Sequence, residues 1–158
     1  MTRLMLAIVM VLSATAAHAA ERFALLPFEL INTSPVPTRP DEAARLAGLN
    51  GIAAERLVTA GFVMVDPAPI EGQLAGISSL RGCNGCELRL GRELGADYVA
   101  VGWVQKVSNL ILNINLEVRA VASGRLVSVG SVDIRGNTDE SWRRGVIYLL
   151  DHRILPGR

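Results

Sequence analysis

Cys83-Asn84-Gly85-Cys86 is the one stretch of the chain whose residue types and spacing point directly to chemistry. A thiolate at a helix N-terminus is stabilised by the helix dipole, which lowers its pKa and equips a CxxC pair for disulfide exchange. In an oxidising compartment the same pair closes into a bridge that clips a loop to its helix. The context favours the inert bridge. Exchange folds of the thioredoxin type carry the motif after the first strand, whereas here it precedes the third, and no aromatic residue stands just before Cys83. A c-type haem is excluded because Glu87 occupies the position that needs His. A metal site would require further ligands, and beyond the signal segment only His152 and scattered carboxylates are on offer, so neither metal nor cofactor is expected.

His152, between Asp151 and Arg153 near the end of the last expected helix, suits the negative end of that helix dipole. With no Ser in an elbow-like motif, a hydrolase triad has no support, and no catalytic residue is assigned.

Two stretches are candidates for binding. Asn109, Asn113, Asn115, Glu117 and Arg119 form a polar stripe, which is either a solvated strand face or a recognition face with donors and acceptors on a rigid sheet. The segment Arg135–Arg144 is denser in polar groups than a helix cap requires, and it contains Trp142 and Arg143, residue types common at binding hot spots. Trp142 also has core spacing with Val146, which leaves its burial open. The candidate surface therefore comprises Trp103, Lys106, Asn109, Asn113, Asn115, Arg135, Asn137, Asp139, Trp142 and Arg143.

These residues must be positioned by a small domain. In 158 residues, half of them apolar, there is enough material for one core. Sixteen basic residues nearly cancel fifteen acidic ones and neither sign forms runs, which argues against nucleic acid or an anionic membrane as partner. Arg3, the apolar run Leu4–Leu12 and the small-x-small tripeptide Ala17-His18-Ala19 have the three parts of a cleavable secretion signal. The expected organisation is a signal over residues 1–19 and a single periplasmic domain over 20–158. It has no lipid-anchoring Cys after the signal and no membrane span once the leader is removed.

The pattern predicts the order β-α-β-α-β-β-β-α: an α+β fold with a mixed, mainly antiparallel sheet of about five strands and helices on one face. Arg22–Leu30 is a first strand, with Pro27 marking an edge, a bulge or a strand end. Three prolines between Pro35 and Pro40 make a loop, and Asp41 caps a helix to about Ala60 that Gly48 and Gly51 should kink or divide. Phe62–Asp66 is a short strand and Ile70–Leu80 is ambiguous, while a second helix spans Cys86–Leu94. Tyr98–Val104 is apolar on both faces at first, as in a central strand covered on both sides. Leu110–Arg119 alternates with period two, Ala122–Arg125 turns the chain, and Leu126–Arg135 returns with a bulge expected near Gly130-Ser131. Asn137 and Glu140 suggest a capping box for a last helix with Trp142, Val146, Leu149 and Leu150 inward, and Pro156-Gly157 ends the fold.

The opening Ala24-Leu25-Leu26-Pro27-Phe28, the block Gly95–Val107, the alternating strand and Ala122-Ser123-Gly124-Arg125 together resemble the small periplasmic α/β modules of CsgG, LpoB and the N-terminal domain of TolB. Asn84-Gly85-Cys86, Val104–Asn109 and Asp133–Trp142 look more closely like an exported bacterial family of unknown function. The resemblance implies the fold, the compartment and a non-enzymatic default of protein binding. Sequence and resemblance together predict an accessory or binding protein of an envelope process, with an envelope protein or a small ligand as partner. The alternative is a thiol-disulfide or metal-handling protein using Cys83 and Cys86.

Overall fold

The computed structural model describes residues 19–155; the expected leader, up to His18, and the Pro156-Gly157 terminus lie outside them. Six strands form one mixed sheet: β1 Arg22–Leu25, β2 Glu29–Asn32, β3 Val63–Met64, β4 Tyr98–Lys106, β5 Ile111–Ala120 and β6 Leu126–Arg135. The helices are α1 Pro40–Thr59, the short α2 Glu71–Ala75, α3 Cys86–Glu93 and α4 Asp139–Leu149, which continues into a π-helical turn over Leu150–Ile154. No helix of the described residues is long and apolar enough to cross a membrane.

The strand order is β3-β1-β4-β5-β6, with β2 also paired to β4. β4 is thus the central strand that its apolar run predicted. The single first strand expected over Arg22–Leu30 is two: β1 pairs in parallel with Phe23–Leu25 against Tyr98–Ala100, and β2 with Glu29–Asn32 against Trp103–Lys106. Pro27, which has no N–H to donate, lies in the break between them.

α1 runs uninterrupted through Gly48 and Gly51. Leu49, Ala53 and Leu57 are buried along it, and this packing outweighs the low helix propensity of two glycines. Its cap is not Asp41. The Arg39 N–H donates to Glu42 Oε2 at 2.8 Å in a capping-box arrangement, and Asp41 belongs to the first turn.

Helices cover both faces of the sheet, not one. Phe23, Ala100, Val104, Leu112, Ile114 and Leu116 pack with α1 and α4. The opposite parity, Ala24, Val99 and Val101, packs with Ile70, Leu80 and Leu90 from the α2–α3 stretch.

β5 has the anticipated alternation: Leu112, Ile114, Leu116 and Val118 are buried, and Asn113, Asn115, Glu117 and Arg119 are half-exposed. The bulge of β6 lies elsewhere than expected. Pairing is continuous through Gly130-Ser131 and slips opposite Val118/Arg119, leaving Val127 as the extra residue. Val127 and Val129 are exposed. Gly130 faces the core because the π-helical turn lies directly against it: a Cβ there would stand 2.7 Å from Arg153 Cβ and 2.8 Å from Leu149 Cδ1.

Candidate functional site

On the α3 side the helix covers only part of the sheet. Val99, Val101 and Trp103 of β4 are in register with Arg119, Glu117 and Asn115 of β5, so an apolar row and a polar row run side by side on this face. The segment Ser79–Gly85 stands over them as a wall and leaves an open cleft of about 410 Å³. Three observations explain how the wall is held. Glu29, the register partner of Trp103, accepts hydrogen bonds from the Ser79 hydroxyl and from the backbone N–H groups of Leu80 and Arg81. The Arg81 guanidinium carbon lies 5.0 Å from the centre of the Trp103 indole, a cation–π stack. Cys83 and Cys86 are joined by a disulfide, the one expected from the sequence, and Cys86 is the first residue of α3.

At the other end of the cleft Arg119 lies between two carboxylates, 3.6 Å from Glu87 and 3.6 Å from Glu117. Further along β5, Asn113 donates to Ser131 Oγ at 2.9 Å and to Asp133 Oδ1 at 2.8 Å, which ties the polar stripe to β6. Cys83, Cys86 and Glu87 place a ligand-type atom each within 4.8 Å of one another, the one such group among the described residues. With both sulfurs in a disulfide, no thiolate is available there to a metal.

The candidate surface predicted from sequence divides in two. Trp103, Asn113 and Asn115 lie on the cleft face; Asn109 and Arg135 are exposed near its end. Asp139 and Arg143 are exposed on α4, beside a groove of about 360 Å³ against α1. Four members are largely withdrawn from the surface, Trp103 among them at 8% exposure, because Arg81 and the wall cover its ring. Lys106 is wholly buried, Trp142 nearly so, and Asn137 is 8% exposed. Lys106 Nζ donates to Glu42 Oε1 at 2.6 Å, Trp142 Nε1 donates to Asn137 Oδ1 at 2.9 Å, and Asn137 Nδ2 donates to Glu42. They form a polar link between α1, β4 and α4. Asn137 is therefore not the cap of α4; Thr138 is, its hydroxyl accepting from Ser141 N–H at 3.3 Å.

Burial pushes the Glu42 pKa up more than any other single influence. The hydrogen bonds from Lys106, Arg39 and Asn137, with the Lys106 charge, outweigh it and hold the carboxyl below its ordinary value. Asp41 is held down to about 2, chiefly by its hydrogen bond from Arg39, whose own pKa is raised by the same pairing. His152 packs its ring against Tyr148, 4.6 Å between centroids.

Sequence reasoning missed Arg81 and Glu87 as cleft residues and Glu29 as the residue that holds the wall. Arg81 and Glu29 are 52 positions apart and meet only through the β2–β4 pairing, which no local pattern encodes.

Residues 21–154 match the model of the DUF3280 family, described as a protein of unknown function (DUF2380). The chain belongs to this family. The fold of this DUF3280 member is also similar to several solved structures of low identity. The LpoB C-terminal domain from Salmonella enterica is 16% identical with a TM-score of 0.51, over 77% of this chain and 87% of that one. The PelC dodecamer from Paraburkholderia phytofirmans gives 17% and 0.54, over 83% and 85%. Lipoprotein GNA1162 from Neisseria meningitidis gives 18% and 0.54, over 75% and 82%. At these identities the likeness concerns the fold alone. No curated protein matches the sequence.

Proposed function

We propose that this DUF3280 protein is a non-enzymatic accessory protein of a bacterial envelope process, exported to the periplasm as a soluble domain. It holds an envelope protein or a small ligand in the cleft between β4, β5 and the disulfide-tied loop. The observation that carries this reading is the cleft itself. A concave surface with an apolar floor, a stacked aromatic and convergent polar groups is what a recognition site requires. Fold likeness to an LpoB domain and to a lipoprotein supports the envelope setting, and the sequence pattern of the leader supports export.

Complementation tests it. A strain lacking the gene is scored for detergent sensitivity and then supplied with the wild-type chain or with Glu117→Trp, which fills the cleft from a half-exposed strand position that tolerates aromatic residues. Wild type should restore resistance, and an exported, folded Glu117→Trp should not. Full rescue by Glu117→Trp would remove the cleft from the function.

A second reading, thiol-disulfide exchange or metal handling by Cys83 and Cys86, draws on Cys86 opening α3 and on the Glu87 oxygen near both sulfurs. Replacing both cysteines by Ser separates the two: a binding protein keeps its function, whereas an exchange or metal protein loses it while remaining folded.

A further inference from the structure

The cleft holds two cations in different situations. Arg119 is already shared between Glu87 and Glu117. Arg81 has no hydrogen-bond acceptor or ion-pair partner for its guanidinium among the described residues, yet the residue is not loose: Glu29 accepts from its backbone N–H, and its guanidinium carbon lies over the Trp103 ring, 5.0 Å from the centroid. Ordering a long side chain costs rotamer entropy, and a guanidinium held over an indole by its charge spends none of its N–H donors on the ring, so the fork stays available to an acceptor. A planar fork held in this way matches the two oxygens of a carboxylate or a phosphate.

We infer that Arg81 is the anchor for an oxyanion, carboxylate or phosphate, carried by the ligand of this protein. The inference rests on the cleft being the binding site proposed above and names the chemistry that the site reads. Polarity along the cleft also sets the orientation of the ligand. The Glu87–Arg119–Glu117 group carries one negative charge in excess, whereas at the other end the Arg81 charge is offset by Glu29, whose oxygens are occupied by three wall donors, so the anionic end of the ligand lies at Arg81 and its other end, neutral or cationic, lies toward Glu117.

The test uses the exported chain with its disulfide intact, in NMR titrations that follow the Trp103 indole N–H and the amides of Arg81, Gly82 and Gly85. Inorganic phosphate and N-acetylalanine present the two oxyanions; N-acetylalanine amide is the neutral control. At least one oxyanion should shift these signals saturably, and the amide should not. Which oxyanion binds more tightly distinguishes a phosphate-bearing ligand from a carboxylate-bearing one. Arg81→Gln should weaken binding roughly tenfold, the loss expected for one charge-assisted pair. Arg81→Lys, which keeps the charge and loses the fork, should recover only part of it. Arg81 is exposed, so the variants remain folded, which the dispersion of their unliganded spectra verifies. Equal shifts in wild type and Arg81→Gln, or no saturable shift with either oxyanion, would overturn the inference. Its failure is distinct from that of the binding reading. If oxyanions do nothing while Glu117→Trp still fails to complement, the cleft binds a ligand that presents no oxyanion; if Glu117→Trp complements, the cleft is not the site.

Discussion

Lys106 and Glu42 meet at 2.6 Å with both side chains entirely out of contact with solvent. The pair joins the end of β4 to the first turn of α1, and Glu42 accepts in addition from Arg39 and Asn137. Removing one partner of such a pair strands a buried charge, so Lys106→Met or Glu42→Leu alone should cost about 3–5 kcal/mol. The double replacement leaves no charge behind and should recover much of that loss. Urea unfolding of the three variants measures it, and single costs that simply add in the double variant would show the two groups to be uncoupled.

The same cluster sets the acid limit of the fold. Glu42 and Asp41 both titrate below their ordinary values in the folded chain, so the unfolded chain binds protons first as pH falls. Their stabilisation is complete above the unfolded values, about 4 to 4.3, and is lost progressively below them. For Asp41 the loss extends down to about 2. The urea midpoint should therefore fall on acidification through this range, and Asp41→Asn should flatten the part between about 4 and 2. An unchanged acid slope in Asp41→Asn would mean that Arg39 does not hold the carboxylate in solution.

The Cys83–Cys86 bridge closes a very short loop, three positions apart in sequence. Chain entropy limits what so small a ring can contribute, and the double Cys→Ser variant should lose about 2 kcal/mol or less by thermal or urea unfolding. The wall that carries Arg81 is held separately by Glu29 and Trp103, so oxyanion binding should survive in that variant. Loss of binding without unfolding would assign the bridge a direct part in shaping the cleft.

Elements governed by local periodicity were legible: β5 from strict alternation, α3 from its Cys86 start, the buried stripe of α4 from Val146 and Leu149, while the spacing leaves the burial of Trp142 open. The bulge of β6 was not, because it depends on what packs across the strand. The change of parity between Val127 and Val129 on one side and Val132 and Ile134 on the other places it near Gly130-Ser131, yet Gly130 is there to admit the π-helical turn, and the slip falls at Val127. Gly130→Ala should accordingly cost about 1–3 kcal/mol through overpacking against Leu149 and Arg153, whereas Val127→Ala, at an exposed bulge, should cost less than about 1 kcal/mol. Thermal melts of the two variants rank them, and equal costs would place the close approach elsewhere.

Asn137 marks the corresponding limit at the candidate surface. A short polar residue before an acidic first turn has the signature of a helix cap, and the neighbouring Thr138 has it too; sequence alone does not say which points inward. In the fold Thr138 caps α4, and Asn137 turns to the core to satisfy both the Trp142 indole N–H and Glu42. Thr138→Ala removes one cap and should cost about 1 kcal/mol. Asn137→Ala leaves a buried indole N–H without its acceptor and deprives Glu42 of a donor, each omission worth about 1–3 kcal/mol. Asn137→Ala should thus be clearly the more destabilising in urea, and it should also raise the Glu42 pKa and move the acid limb of the stability profile upward. A larger loss from Thr138→Ala would return Asn137 to the role of a surface residue and reopen the Arg135–Arg144 segment as a contact.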